Sequence, residues 1–193
     1  MHPSALLELL ASTTWRTINR SARNRIQYGE DEITSVNLNA LASSPDQTVV
    51  VEDTRVDEAT KGCDFEFWIG SDHLGWARYA IQAKKISLPT SSYSKLGHKV
   101  GSSLQVDVLD SYAVANRAAP LYCFYNYSTK DHGWNCNLPK ESEQLGCSVT
   151  PSSVVRAHLS IRGARSFQAI HANKATLPWR CLVRCPLIAG FPA

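Results

Sequence analysis

Apolar residues fall at helical spacing at the start of the chain and then alternate with polar ones, so the pattern predicts helices followed by strands. Leu6, Leu7, Leu10 and Ile18 predict an amphipathic helix over roughly 4–23. A second helix is expected from near Glu30, with Ile33, Val36, Ala40 and Leu41 on one face, ending at Ser43-Ser44-Pro45. The β-branched run 48–52 predicts a short buried strand. A polar segment then leads to a turn at Gly62. Strands are expected at 64–69 and 76–86, joined by Gly70-Ser71-Asp72-His73-Leu74-Gly75, which has hairpin turn chemistry. A loop over 87–101 precedes a third helix marked by Leu104, Val108, Leu109 and Tyr112, and an apolar strand follows at 120–125. Beyond Asn126 the periodicity fades into a loop, a helix opened by Thr150-Pro151-Ser152-Ser153, and an irregular end. The expected organisation is a core over 1–126 and an extension over 127–193 packed on it.

Composition narrows this picture. With 193 residues, 44% hydrophobic and 19% charged, the chain is long enough and apolar enough for a packed core rather than disorder. Net charge is only +3, but no Asp or Glu follows Glu143, while Arg156, Arg162, Arg165, Lys174, Arg180 and Arg184 remain. That basic stretch either follows a nucleic-acid backbone or forms a solvated surface. No apolar stretch is long enough to span a bilayer. The opening Met1-His2-Pro3-Ser4 lacks a positive region, and Glu8 interrupts the leucine run. Six cysteines without a secretory signal read as reduced thiols, so the expected compartment is the cytoplasm.

The candidate chemistry lies between Gly62 and Lys85. Residues two apart on a strand share a face, so Gln82 and Lys84 point the same way, and a hairpin brings Asp64 near them. Mg2+ takes hard oxygen ligands, usually one or two carboxylates completed by water and phosphate. Asp64 and the Gln82 carbonyl offer such oxygens, and Lys84 offers a charge for a phosphate or an attacking water. Glu66 shares the Asp64 face and is a spare acid, read here as a solvated edge charge. Lys85 points to the opposite face; Lys95 and Lys99 suit either phosphate contacts or plain solvation. Cys63, of opposite phase to Asp64, is expected in the core. A rival site is a structural zinc drawn from His132, Cys136, Cys147, Cys181 and Cys185, although no Cys-x2-Cys occurs. No Ser-His-Asp arrangement, phosphate-cradling glycine loop or dinucleotide fingerprint is present.

With Asp64, Gln82-Ala83-Lys84 and a helix–strand–strand–strand–helix–strand order in place, residues 30–126 resemble the PD-(D/E)xK nuclease superfamily. The branch is the Mrr-like restriction endonucleases, where Gln replaces the last acid. More loosely, the whole chain resembles an uncharacterised bacterial domain family of this type associated with anti-phage defence. The resemblance implies an α/β restriction-endonuclease-like fold with a central mixed sheet flanked by helices. It assigns Asp64 as the metal-binding acid, Gln82 as the second ligand position and Lys84 as the catalytic lysine. It also implies Glu32, rather than Glu30, as the acid from the first core helix, and Gln105 as a polar residue facing the site. The implied activity is a Mg2+- or Mn2+-dependent endodeoxyribonuclease acting on double-stranded DNA, with RNA left open. A homodimer and a regulatory partner are compatible with the resemblance. The alternative is an inactive nucleic-acid-binding or protein-interaction module of the same fold.

Overall fold

The computed structural model describes residues 2–130, 136, 138–139, 141–161 and 164–184. It opens with helix α1, Pro3–Arg23, which has Pro at its first turn and Arg20 and Arg23 in its last, each matched to the helix end it occupies. Helix α2, Glu30–Ala42, carries Glu30, Asp31 and Glu32 in its first turn, where the helix dipole favours negative charge. Its buried stripe is Ile33, Thr34, Asn37, Leu38 and Leu41. Val36, expected on that stripe, is 49% exposed. Thr34 and Asn37 take the inner face instead, because Tyr125 and Thr14 offer them hydrogen-bond partners.

Strand β1, Val49–Asp53, lies at the sheet edge and buries only Val49, which corrects the expectation of a buried strand. A single helical turn, α3 (Glu58–Lys61), ends at Gly62, whose φ of +68° is left-handed and whose N–H donates to Glu58 O at 2.7 Å. A Cβ at Gly62 would lie 2.5 Å from Leu109 N, so only glycine lets the turn close this tightly. Strands β2, Phe65–Ser71, and β3, Gly75–Lys85, form the expected hairpin, with Phe65 opposite Ile81. A two-strand ribbon, β4 (Lys99–Val100) with β5 (Ser103–Leu104), leads into helix α4, Gln105–Ala115. Strand β6, Ala119–Tyr125, then returns parallel to β3.

The segment after Asn126 supplies strands to the same sheet. Strand β7, Cys147–Pro151, pairs antiparallel with β6. Helix α5 (Ser152–Leu159) and helix α6 (Phe167–His171) follow, then strand β8 (Leu177–Pro178) against β7, and the short helix α7 (Cys181–Arg184). The mixed six-stranded sheet therefore runs β1-β2-β3-β6-β7-β8, its last two strands coming from the segment after Asn126. β7 carries inward-facing Ser148 and Thr150, so its sequence lacks an apolar signal. Ser148 Oγ meets His171 Nε2 at 2.7 Å, and Thr150 Oγ1 accepts from Thr176 Oγ1 at 3.1 Å.

The sheet has two differently furnished faces. Phe67 packs against Trp179, whose indole N–H donates to Leu7 O of α1 at 2.6 Å. Its neighbour Glu66 points the other way, where it meets Tyr112 of α4. Asp64, Glu66, Gln82 and Lys84 thus fall on the α4 side. All four are buried. Among the described residues no helix is long and apolar enough to cross a membrane. The basic C-terminal stretch is partly consumed by the fold: Arg156 pairs with Asp107 and Asp110, and Arg180, 3% exposed, bonds Glu8 and Pro139 O. Those two arginines are not a free surface for a nucleic-acid backbone; Arg162 lies outside the described residues.

Candidate functional site

Asp64 sits just before β2, and its backbone N–H donates to Ile81 O at 2.9 Å, which extends the hairpin register to bring it opposite Gln82. Its carboxylate accepts from Gln82 Nε2 and from the Ala83 N–H at 2.6 Å. The other end of the Gln82 amide, Oε1, is buried without a hydrogen-bond partner. A buried orphan acceptor is costly in a plain core. Gln82 touches the Asp64 carboxylate through Nε2, and a carboxylate with an amide oxygen is the kind of hard-oxygen donor set a divalent cation takes. Lys84, 4% exposed, holds its ammonium 3.7 Å from Glu30 Oε1. Glu30 also accepts the Lys85 N–H at 2.6 Å through Oε2, so one carboxylate clamps the end of β3 to the start of α2.

Glu30, rather than the expected Glu32, is the helix acid that reaches Lys84. Glu32 turns back over Gly29, with its Oε2 2.2 Å from where a Cβ there would stand. Both acids line the same cleft of about 1380 Å3, together with Glu58, Asp64, Lys84 and Lys95. Gln105, expected to face the site from the helix after the hairpin, is buried and meets Glu58, to which its Nε2 donates at 2.5 Å. Its Oε1 is a second buried orphan. Nothing in the polar pattern of 53–61 marked Glu58 in the sequence. Its relevance depends on the Gly62 turn, which folds α3 back beside Asp64.

Glu66 is not a solvated edge charge. It is fully buried and paired with Arg78, and Tyr112 O–H donates to its Oε1 at 2.5 Å. The guanidinium that neutralises it comes from twelve residues away, across the hairpin, so it stands apart from the Asp64 cluster. Cys63 is a core residue as expected: burial pushes its thiol up to about 11, and it lies 3.4 Å from Thr54 Oγ1. Lys99 stands exposed on the small ribbon.

Of the thiols proposed for zinc, Cys136 and Cys181 face each other at 3.1 Å, while Cys147 lies apart with Thr14 and Asn37. Tetrahedral zinc with ligand bonds of about 2.3 Å spaces two sulfurs by roughly 3.7 Å. His132 and Cys185 lie outside the described residues. Among the described residues no three His, Cys, Asp or Glu side chains gather as a metal-holding group. The buried Ser148–His171 pair directs its second imidazole nitrogen at Phe167 O, 2.9 Å away, and serves packing between β7 and α6.

Electrostatics single out Asp64. Burial raises its carboxyl to about 7; the nearby Lys84 charge opposes this, and the Glu58 and Glu30 charges add to it. An acid whose pKa is raised by folding costs nothing where both states are protonated, below about pH 4. The cost grows as pH rises and is complete above about 7, on the order of 3–4 kcal/mol. Asp64→Asn is therefore expected to stabilise the metal-free protein at pH 8 by about 5 °C or more, with no gain near pH 4. Thermal unfolding in the presence of a chelator at the two pH values checks this. Equal melting temperatures at pH 8 would contradict it.

A family model described as a family of unknown function (DUF6615) matches residues 4–191. No curated protein matches the chain.

Proposed function

The chain belongs to DUF6615, a family of unknown function, and we propose that its members of this sequence type are metal-dependent nucleases of the PD-(D/E)xK kind. The proposed branch is the Mrr-like one, with Asp64, Gln82 and Lys84 as its Asp…Gln-x-Lys signature. The proposed reaction is hydrolysis of phosphodiester bonds in double-stranded DNA, in a bacterial defence setting inferred from resemblance alone. One observation carries the reading. Asp64 and Lys84 are buried side chains that line one large cleft, and behind Asp64 the buried Gln82 bonds its carboxylate while leaving its own amide oxygen unpartnered. The order helix, three strands, helix, strand, with β6 parallel to β3 and joined to it through α4, supports a restriction-endonuclease-like core.

Asp64 and Gln82 Oε1 would hold the ion, Mg2+ or Mn2+, which when bound supplies positive charge to the scissile phosphate. This chain's own groups do the rest. Gln82 Nε2 and the Ala83 N–H fix the Asp64 carboxylate, so its free valence is already oriented. Glu30 holds the Lys84 ammonium in a buried site, where a charge acts on a phosphate oxygen far more strongly than in water. Two carboxylates at such a site would hold more charge than Asp64 with Gln82 does, so affinity for the ion is expected to be modest.

The test is a panel of linear duplex DNA, single-stranded DNA and RNA incubated with Mg2+, with Mn2+ and with a chelator. Cleavage of the duplex only when a metal is present is the expected result. Cutting of RNA alone would move the substrate. DNA binding without any cutting would favour the inactive module of the same fold.

A further inference from the structure

The acids around the cleft outnumber what Asp64 and Gln82 need. Glu30, Asp31, Glu32, Glu58 and Asp64 line it, against Lys84, Lys85 and Lys95. Glu58 differs from the other acids in how it is held. Its helix is a single turn closed by the left-handed Gly62, which cannot accept a side chain without meeting the α4 backbone. From α4, Gln105 donates to Glu58 Oε1 at 2.5 Å while being 1% exposed, and its own Oε1 has no partner. Burying an amide that satisfies only one end makes sense when it fixes a carboxylate for a task.

We infer that Glu58 is a positioning residue for the divalent cation of this site, acting on the ion's water shell, and that Gln105 orients it. This rests on the nuclease reading above. Three features lead to it. Glu58 and Asp64 stand on the two sides of one glycine-locked turn, and both line the cleft. Mg2+ dehydrates reluctantly and keeps several waters, so a carboxylate set back from the ion still finds a partner. A water-mediated role also agrees with the finding that no three acidic side chains gather tightly enough among the described residues to ligate a metal directly.

The experiment is a titration of the full chain with Mn2+ alone, without nucleic acid, following loss of the free-ion electron paramagnetic resonance signal. Glu58→Gln keeps the size and the hydrogen bond to Gln105 but removes the charge, and should weaken Mn2+ binding by about 10- to 100-fold. Gln105→Ala, which frees Glu58 without touching its charge, should weaken it in the same direction by less. Glu52→Gln, an exposed acid on β1, should bind as the wild type does. A merely structural Glu58 would leave the affinity unchanged, and equal affinities for wild type and Glu58→Gln overturn the inference while leaving the nuclease reading standing. Wild-type protein that binds no Mn2+ at millimolar concentration overturns both.

Discussion

Lys84→Ala is expected to reduce metal-dependent DNA cleavage by about 10^3-fold or more without unfolding the protein. The ammonium is a buried charge at the cleft, and removing one preorganised electrostatic contact of this kind typically costs about 10^2–10^3 in rate. The second role proposed for Lys84, orienting the attacking water, adds to that figure. The fold should tolerate the change. Lys84 pays desolvation to sit at 4% exposure, and its partner Glu30 keeps both solvent access and the Lys85 N–H. Steady-state cleavage beside a thermal melt reads both quantities. A variant that cuts within tenfold of the wild type would remove Lys84 from the chemistry, and a variant that fails to fold would give it a structural role instead.

Arg78→Ala should produce the largest loss of stability among single side-chain truncations on this face. Glu66 is fully buried, and Arg78 meets it with two nitrogens, Nε at 2.5 Å and Nη2 at 3.0 Å. The guanidinium also donates to Tyr112 O–H and Asn116 O, and lies over the Trp68 ring at 5.0 Å. Truncation leaves a carboxylate in the interior with only the Tyr112 hydroxyl for company. Breaking a buried pair from one side costs about 3–5 kcal/mol, or roughly 8–15 °C for a chain of this size. The paired replacement Glu66→Leu with Arg78→Leu should recover most of that loss, because no charge then remains buried. Denaturant titration of the three proteins decides it. A cost below about 1 kcal/mol for Arg78→Ala would mean that Glu66 is solvated after all.

These two residues also mark where the sequence was legible and where it was not. Asp64, Gln82 and Lys84 could be placed together because strand alternation and a short turn fix their faces with little freedom. Glu66 obeys the same alternation, yet its burial could not be read. The arginine that neutralises it is across the hairpin, and the hydroxyl that completes the set is on α4. The choice between Glu30 and Glu32 turns on the rotation of α2. Polar Thr34 and Asn37 set that rotation by bonding into the core, whereas the apolar positions alone placed Val36 inside. Strand β7 escaped for a related reason, since Ser148 and Thr150 are buried by hydrogen bonds rather than by hydrophobicity. Polar residues that find buried partners are the common cause of each miss. Glu58 adds a different one: a glycine turn brought it to the site from a linker with no pattern.

The central claim is that Asp64 and Gln82 form the ion-binding half of a phosphodiester-cutting site. Its most direct measurement is cleavage of duplex DNA by wild type and by Asp64→Asn at one Mg2+ concentration, with folding of both confirmed by thermal unfolding. The expected result is metal-dependent cutting by the wild type and none above background by an Asp64→Asn protein at least as stable. Undiminished cutting by Asp64→Asn, or a folded wild type that leaves DNA intact in Mg2+ and in Mn2+, would contradict it.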